Sequence, residues 1–294
     1  MKQNLISPKN NTNLLGCIAD AITGNYLLNN TELSKDEASQ IIYASGIETL
    51  FTKKILKGQE VFSETLPKIT FSTKTKVCLG EDCPHHNNCK KEKCPYNAYL
   101  SIQDGKFISG IIDKNTFGVE DGLLVRELDK MVGRNKTLDT IKDVFALGTG
   151  YLSRRGFTIS LRDLNVNEKT KEETSKIIKE AEEKSRKIIS SYYDNTMELI
   201  PGKSREDSRE IKILKTLNDV RSKIGNIVKK EFPRENPVNS MIISGAGGNI
   251  LHITQIACSV GQQALWAKRI TVSYTHLRAH ETSLHLVCRL LLEK

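Results

Sequence analysis

The chain has 294 residues, of which 38% are hydrophobic and 27% charged, so it can form at least one buried core and is not disordered throughout. It contains no uncharged apolar stretch of about eighteen residues, which argues against a membrane span, and residues 1–10 lack the apolar segment of a secretory signal. Lysine and arginine number 44 against 35 aspartate and glutamate residues, and the net charge of +9 favours a polyanionic partner.

Helices are predicted at three places in the first half of the chain. Apolar residues recur at helical spacing over residues 12–30. A second helix is predicted to start at Ser34, because Glu37 lies three residues later, at the spacing of a capping box. A third, ending near Gly156, is indicated by a set of apolar residues at helical spacing: Leu138, Ile141, Val144, Phe145 and Leu152.

A strand and a β-hairpin are predicted between these helices. Residues 69–77 alternate between apolar and polar side chains, as a half-buried strand does. Residues 99–102 and 107–109 are rich in β-forming side chains and flank the dipeptide Asp104-Gly105. Asp-Gly between two such runs is a strong hairpin signal, because glycine tolerates the positive φ that the turn needs.

Residues 165–232 are predicted to form two long antiparallel helices. Residues 167–187 carry six acidic and seven basic side chains, which we interpret as a solvated helix face. Pairs of opposite charge lie there at favourable i,i+4 spacing: Glu172–Lys176, Glu180–Lys184, Glu182–Arg186 and Glu183–Lys187. After Pro201-Gly202, apolar residues recur with gaps of four, three, four and three, which is typical of a helical seam: Ile213, Leu217, Val220, Ile224 and Ile227.

Four of the seven cysteines fall in one window: Cys78, Cys83, Cys89 and Cys94. Without a signal peptide we expect a cytoplasmic location, where clustered cysteines indicate a metal site before a disulfide. Four thiolates can close a tetrahedral zinc site. The gaps are longer than in the usual C-x2-C knuckle, so a polar surface insertion with free thiols is an equally weighted alternative.

A glycine-rich segment, Ser244-Gly245-Ala246-Gly247-Gly248-Asn249, precedes an apolar run over residues 250–260 that is predicted to be helical. Such a turn at a helix N-terminus can bind a phosphate through backbone N–H groups. No Lys-Ser/Thr follows, so the segment is not a P-loop, and it lacks the acidic residue of a dinucleotide fingerprint. Taken alone, it is interpreted as a tight packing turn.

Four blocks in chain order carry a family resemblance. They are Gln3-Asn4-Leu5-Ile6-Ser7-Pro8 with Ile18, Asp20, Thr23 and Gly24; Gly110-Ile111-Ile112-Asp113-Lys114 with Gly118; Arg155-Gly156-Phe157-Thr158; and the glycine-rich segment followed by Val260-Gly261-Gln262-Gln263 and Lys268-Arg269-Ile270. Together they resemble the largest subunit of multisubunit DNA-directed RNA polymerase of archaeal type. The resemblance covers residues 3–270.

The resemblance implies an α+β fold with a mixed pore domain over residues 1–163, which contains a β-hairpin and short helices. It implies a long antiparallel helical hairpin, the funnel, and the start of the following region over residues 164–270. In the assembled enzyme the family makes RNA on a DNA template by nucleotidyl transfer, with two magnesium ions. The aspartate-rich loop that holds magnesium in the family is absent here, so we expect the isolated chain to be inactive. We also expect Met1 to be an internal methionine or an artificial start.

The resemblance also implies which part of the enzyme this section forms and which molecules it contacts. It lines the channel through which nucleotides reach the active centre, and Gly245, Gly248, Gln262 and Gln263 are expected to line that channel near the nucleotide. Relatives usually carry a basic residue where Gly247 stands, which counts against a direct phosphate contact by this turn. The expected partners are the other polymerase subunits, template DNA, nascent RNA, nucleoside triphosphates and a transcript-cleavage factor, with no membrane.

The resemblance stops after Ile270. Residues 271–294 hold three of the six histidines and resemble a translated sequencing adaptor, so we expect a non-native tail. The alternative function is a stand-alone zinc-containing nucleic-acid-binding module without catalysis, which would use the basic charge and the cysteine window.

Overall fold

The computed structural model describes residues 4–75, 99–265 and 268–269. The predicted metal ligands Cys78, Cys83, Cys89 and Cys94 and the segment 271–294 lie outside the described residues. The chain folds as two compact units, the first formed by Met1–Ile159 with Asn239–Gly248 and the second by Ser160–Val238 with Asn249–Lys294. Within the described ranges, no helix is both long and apolar enough to cross a bilayer.

The first unit combines short and medium helices with two small antiparallel sheets. Its helices are α1 (Asp20–Asn29), α2 (Lys35–Ala44), α3 (Gly58–Ser63), α4 (Lys114–Phe117), α5 (Leu123–Val132), α6 (Arg134–Arg155) and most of α9 (Pro237–Ser244). Its strands are β1 (Glu32–Ser34), β2 (Ile55–Lys57), β3 (Phe71–Lys74), β4 (Tyr99–Gln103) and β5 (Lys106–Ser109). Strands β1 and β2 pair, and β3, β4 and β5 form one sheet in that order.

The second unit is built on two long helices. Its elements are a 3-10 turn (Leu161–Leu164), α7 (Glu168–Tyr193), α8 (Arg205–Glu231), α10 (Ile250–Ala257), and the two-residue strands β6 (Ala264–Leu265) and β7 (Lys268–Arg269). Helices α7 and α8 form the predicted antiparallel hairpin, with Pro201-Gly202 in the connection. Together the two units confirm the α+β class and the helical hairpin.

The predicted β-hairpin is confirmed at its turn. Asp104 and Gly105 both have positive φ, 49° and 75°, as a two-residue turn between twisted strands requires. Gln103 pairs with Lys106 across the turn. The Gly105 N–H also donates to the Ile69 carbonyl at 2.9 Å, which ties the turn to the residues before β3.

The helix predicted over residues 12–30 is wrong at its start, because α1 begins at Asp20. Residues before it make bridges to a distant part of the chain instead. The Asn13 side chain donates to the Leu15 carbonyl at 2.8 Å and to the Gly118 carbonyl at 2.7 Å. The Cys17 N–H donates to the Phe117 carbonyl at 2.7 Å. These tertiary bonds outweigh the local helical periodicity.

The capping box predicted at the start of α2 is confirmed. The Ser34 hydroxyl accepts from the Glu37 N–H at 3.3 Å, and the Glu37 carboxylate accepts from the Ser34 N–H at 3.0 Å. The predicted end of α6 near Gly156 is also confirmed, since the helix stops at Arg155.

The core of the first unit depends on a close crossing of α1 and α6. A Cβ added to Gly24 would lie 2.1 Å from the Gly148 carbonyl oxygen, and one added to Gly148 would lie 2.4 Å from the Ala21 carbonyl oxygen. The buried Asn25 amide donates to the Ala21 carbonyl and, at 2.9 Å, to the Val144 carbonyl on α6. The two helices therefore meet backbone to backbone.

The seam of the helical hairpin is narrower on α7 than on α8. Helix α7 buries only small or hydroxyl-bearing side chains, whereas α8 buries mainly larger aliphatic ones: Thr170, Thr174, Ala181 and Ser185 on α7, and Ser208, Ile213, Leu214, Ile224 and Val228 on α8. Of the predicted seam residues, Ile213 and Ile224 are fully buried, whereas Leu217, Val220 and Ile227 are half-buried. The buried set is broader than predicted because α10 and β7 also pack on α8.

At its open end the hairpin is fastened by one carboxylate. Glu231 on α8 accepts from the Asn167 N–H at 3.1 Å, from the Asn167 side chain at 3.0 Å and from the Thr170 hydroxyl at 3.1 Å. Asn167 also caps α7 by accepting from the Thr170 N–H at 2.7 Å. The start of α7 and the end of α8 are thus held together.

The helix crossing generates a first prediction. Gly148→Ala places a methyl group against the α1 backbone, and we expect it to lower the free energy of unfolding by about 1–3 kcal/mol, the usual cost of overpacking. Gly150→Ala is the matched control, because its Cβ meets the Ala44 Cβ at 3.4 Å and the added methyl is tolerated. It should gain up to about 1 kcal/mol from helix propensity. Thermal or urea unfolding of the two variants measures the difference, and equal stabilities would contradict the backbone crossing.

The hairpin generates a second prediction. Ile213 is fully buried in the seam, and Ile213→Ala should cost about 2–5 kcal/mol. Glu180 is exposed on α7, and Glu180→Gln should cost less than about 1 kcal/mol, because an exposed pair contributes little and is screened by salt. Helicity followed by circular dichroism during urea unfolding measures both changes. A larger loss from Glu180→Gln than from Ile213→Ala would mean that the charges, and not the seam, stabilise the hairpin.

Candidate functional site

The glycine-rich segment closes α9. The Gly245 N–H donates to the Ile242 carbonyl at 3.1 Å, and the Ala246 N–H donates to the Met241 carbonyl at 3.0 Å. With Gly245 at a φ of 75°, these two bonds form a Schellman motif, the usual way in which a helix ends at glycine. The Gly247 N–H also points to the Met241 carbonyl, at 3.4 Å.

These hydrogen bonds leave the segment poorly suited to bind a phosphate. A phosphate cradle needs several backbone N–H groups without other acceptors. Three successive N–H groups of this segment, from Gly245 to Gly247, already donate to α9. The described geometry of Gly245–Gly247 is therefore that of a packing turn, and Gly248, with a φ of 73°, follows it.

The structure brings this turn into contact with a second block of the sequence. A Cβ added to Gly245 would lie 2.8 Å from the Lys114 Cβ, so only glycine lets the two backbones approach this closely. Lys114 opens α4, and the preceding Asp113 caps that helix by accepting from the Thr116 N–H at 3.0 Å. Asp113 is buried, and its role is to cap α4 and thereby fix Lys114 beside the turn.

The run from Val260 to Gln263 follows α10 in the second unit. Helix α10 starts at Ile250, as predicted, with Asn249 as its cap. The Gln263 side chain donates to the Val260 carbonyl at 3.1 Å, and the Gln262 side chain donates to the Gln263 carbonyl at 2.9 Å. Both amides therefore fold back on their own loop. Gln262 is half-buried and Gln263 is exposed.

Gly261 sets this loop against α8. Its φ is 72°, and a Cβ added there would lie 3.3 Å from the Arg221 Cδ. The loop therefore lies directly on the stem of the Arg221 side chain. Gly245 and Gly248 belong to the first unit and Gln262 and Gln263 to the second, and the expectation that these residues line a nucleotide channel stays a prediction.

A charged cluster near the connected end of the hairpin was missed by sequence reasoning. Arg269 donates to Glu210 twice, from Nε at 2.9 Å and from Nη2 at 2.8 Å. The Arg269 side chain is 10% exposed and that of Glu210 is 19% exposed. Arg209 adds a longer contact to the same carboxylate at 3.4 Å. The pKa of Glu210 lies below its ordinary value, mainly because of the hydrogen bond from Arg269, although burial opposes the shift.

The Tyr192 ring packs against two arginines at this end of the hairpin, Arg209 of the cluster and Arg205. The guanidinium carbons of Arg209 and Arg205 lie 4.4 Å and 5.0 Å from the centre of its ring, within the range of cation–π attraction. No local spacing relates residues 192, 210 and 269, which explains why the cluster could not be found by motif. The one available signal was the Lys268-Arg269-Ile270 block of the family resemblance.

The described cysteines are structural. Burial raises the pKa of the Cys17 thiol to about 12, and burial is also the main cause of the raised pKa of Cys258. Both thiols are therefore protonated at neutral pH and are poor nucleophiles. Among the residues described, no three histidine, cysteine, aspartate or glutamate side chains converge as metal ligands would.

Comparison with known families gives two matches in order along the chain. Residues 4–164 match the family described as RNA polymerase Rpb1, domain 3. Residues 189–283 match the family described as RNA polymerase Rpb1, domain 4. The second match includes residues 271–283, about half of the segment that was expected to have no counterpart in the family.

Curated relatives are similar over almost the whole chain. The DNA-directed RNA polymerase subunit Rpo1N of Methanocaldococcus jannaschii is 35% identical over 283 residues, which is 93% of this chain and 21% of the relative. The Rpo1N subunits of Methanococcus vannielii and Methanothermobacter thermautotrophicus are 30% and 29% identical, again over 93% of this chain. The chain spans about a fifth to a third of the length of these relatives, since it covers 21%, 31% and 32% of them. By sequence and by these ordered matches, the chain belongs to the family of the RNA polymerase largest subunit, in its archaeal form.

Proposed function

We propose that this chain is a section of the largest subunit of a DNA-directed RNA polymerase and contributes to templated RNA synthesis by nucleotidyl transfer in the assembled enzyme. The observation that carries the proposal is the pair of consecutive family matches, in order, together with 35% identity over 93% of the chain. Two ordered matches favour this function over a stand-alone zinc-containing nucleic-acid-binding module.

The contribution of this section is positional. Among the described residues, Glu37 and Asp113 cap helices, Glu210 forms an ion pair, and the thiols of Cys17 and Cys258 are buried. We assign residues 1–163 to the pore and residues 164–270 to the funnel and the start of the next region. In that arrangement Gly245, Gly248, Gln262 and Gln263 line the path of the incoming nucleoside triphosphate. The exposed side chain of Gln263 supports this assignment.

The proposed partners follow from the same assignment. The other polymerase subunits complete the active centre, template DNA and nascent RNA occupy it, and a transcript-cleavage factor docks on the funnel. Magnesium, which stabilises the attacking and leaving oxygens in two-metal nucleotidyl transfer, is held by residues of the assembly outside this chain. Zinc is bound by Cys78, Cys83, Cys89 and Cys94, whose number and clustering support a closed four-thiolate site.

The turn at Gly245 provides the test of this function. In an archaeal-type polymerase reconstituted with this sequence in its largest subunit, we expect template-dependent extension of an RNA primer. Gly245→Ala should slow elongation, because it forces a side chain into a positive φ and against Lys114. Gly247→Ala is the matched control: its Cβ meets no atom closer than the Met241 Cε at 3.5 Å, and elongation should stay near that of the unmodified enzyme.

Two results would contradict the proposal. The isolated chain should extend no primer with magnesium and nucleotides, and robust synthesis by it would exclude a purely positional role. Equal elongation rates of the Gly245→Ala and Gly247→Ala enzymes would show that the turn does not bear on the path of the nucleotide.

The cysteine window generates a separate prediction. A four-cysteine structural site holds about one zinc ion, so the purified chain should retain about one zinc per molecule. Replacing Cys83 and Cys89 by serine should abolish retention, whereas Cys17→Ser, outside the window, should leave the zinc content unchanged. Elemental analysis after dialysis against a weak chelator measures all three proteins. Zinc-free protein with unchanged thermal stability would support the insertion with free thiols instead.

A further inference from the structure

The segment after α10 is held to α8 at two points on one helix face. Gly261 lies against Arg221, and Arg269 binds Glu210. Eleven residues separate Glu210 from Arg221, which is close to three helical turns, so the two side chains lie on the same face of α8 about 16 Å apart. The loop with Gln262 and Gln263 and the strand β6 lie between these anchors in sequence, and β7 carries the second anchor, Arg269.

The two anchors differ in strength. At Gly261 the contact is van der Waals packing on the stem of the Arg221 side chain. At Arg269 it is a two-pronged, charge-assisted pair at 2.8 and 2.9 Å that is shielded from water on both sides. Charge-assisted bidentate pairs are stronger and more directional than neutral hydrogen bonds. The Glu210 pair is therefore the anchor that fixes the register of the segment on α8.

We propose that Glu210 is a positioning residue that acts through Arg269. It holds β7 on α8 and thereby sets the placement of Gln262 and Gln263, which line the path of the incoming nucleoside triphosphate in the proposed function. This inference rests on the proposed function. It assigns to a residue of the helical hairpin a part in substrate binding that no local motif indicates.

The surroundings of Glu210 explain why its charge is needed. Arg209 and Arg269 share this one carboxylate. Arg209 Nε and Arg269 Nη1 are also buried without a hydrogen-bond partner. Removing the charge of Glu210 leaves two guanidinium groups close together with no counter-charge, and a buried charge without a partner is strongly unfavourable. The expected response is release of Arg269 and of the segment it carries.

The first arm of the test measures this release directly. Hydrogen exchange of the backbone amides of residues 258–269 is compared between the unmodified protein and the variants, in the full chain. Glu210→Gln keeps the shape and loses the charge, and protection should fall about tenfold or more, the order expected for losing a hydrogen bond to a charged group. Glu210→Asp keeps the charge and should restore most of the protection.

Glu206→Gln is the matched control for this arm. Glu206 lies one turn earlier on α8 and is exposed. The substitution Glu206→Gln therefore removes the same charge from the same helix without changing the contact to Arg269. Protection of residues 258–269 should be unchanged. Equal protection in Glu210→Gln and Glu206→Gln would overturn the proposal.

The second arm separates a positioning role from general stabilisation. In the reconstituted polymerase, Glu210→Gln should raise KM for nucleoside triphosphates severalfold while kcat stays within about twofold, which is the pattern for lost substrate binding. Glu210→Asp should return KM toward its original value. A fall in kcat with unchanged KM, or unchanged kinetics despite lost protection, would overturn the proposal.

The two arms also separate this inference from the function on which it rests. Absence of RNA synthesis by the unmodified reconstituted enzyme would count against the proposed function, whatever the exchange data show. If the unmodified enzyme makes RNA but the Glu210→Gln and Glu206→Gln enzymes have the same KM, the proposed function is retained and the role of Glu210 is excluded. If the Glu210→Gln enzyme fails to assemble, Glu210→Asp decides: most of the protection and a KM near the original value are expected, and lost protection with an unchanged KM would overturn the proposal.

Discussion

The first unit depends on one contact, the meeting of the α1 and α6 backbones at Gly24 and Gly148. Because the helices touch without intervening side chains, a buried amide can replace apolar packing, and Asn25 ties the two backbones through the Ala21 and Val144 carbonyls. Both N–H donors of the Asn25 amide are used, which offsets part of the cost of burying this polar side chain. This arrangement explains why α1 has polar residues, Thr23, Asn25 and Asn29, on its buried side.

Local signals predicted the parts of the fold that local chemistry decides. Asp104-Gly105 needs positive φ at both residues, and Ser34 with Glu37 satisfies backbone groups three residues apart, so each could be found within a few positions. The start of α1 could not be predicted in this way. Residues 13–17 are bound by the carbonyls of Phe117 and Gly118, about a hundred positions away, and helical periodicity carries no trace of that competition. Tertiary hydrogen bonds overrode propensity there.

The hairpin shows the same division between pattern and packing. Alternating charges predicted two long solvated helices, and an apolar repeat predicted a seam that includes Ile213 and Ile224. The repeat could not reveal that α8 also buries Leu214 and Val228, because α10 and β7 pack on it in addition to α7. The candidate site could likewise be predicted only in part from the sequence. Family resemblance pointed to the glycine turn and the glutamine loop, whereas the Glu210–Arg269 pair joins positions 59 apart, which no local spacing indicates.

The strong polar interactions of this chain bind its own elements together. Glu231 joins the two ends of the hairpin, Asp113 caps α4 beside the glycine turn, and Glu210 holds Arg269. The Glu231 carboxylate accepts three hydrogen bonds and that of Glu210 accepts two from Arg269, so both are engaged in holding elements of the chain together. The Cys17 thiol is kept protonated by burial, which disfavours the thiolate and raises its pKa. Carboxylates committed in this way hold other groups in place, and a fixed placement is worth much in catalysis, since misplacement by about 1 Å can cost a factor of about a hundred. Among the described residues, these contacts determine how firmly α4, α8 and the segments on them are held.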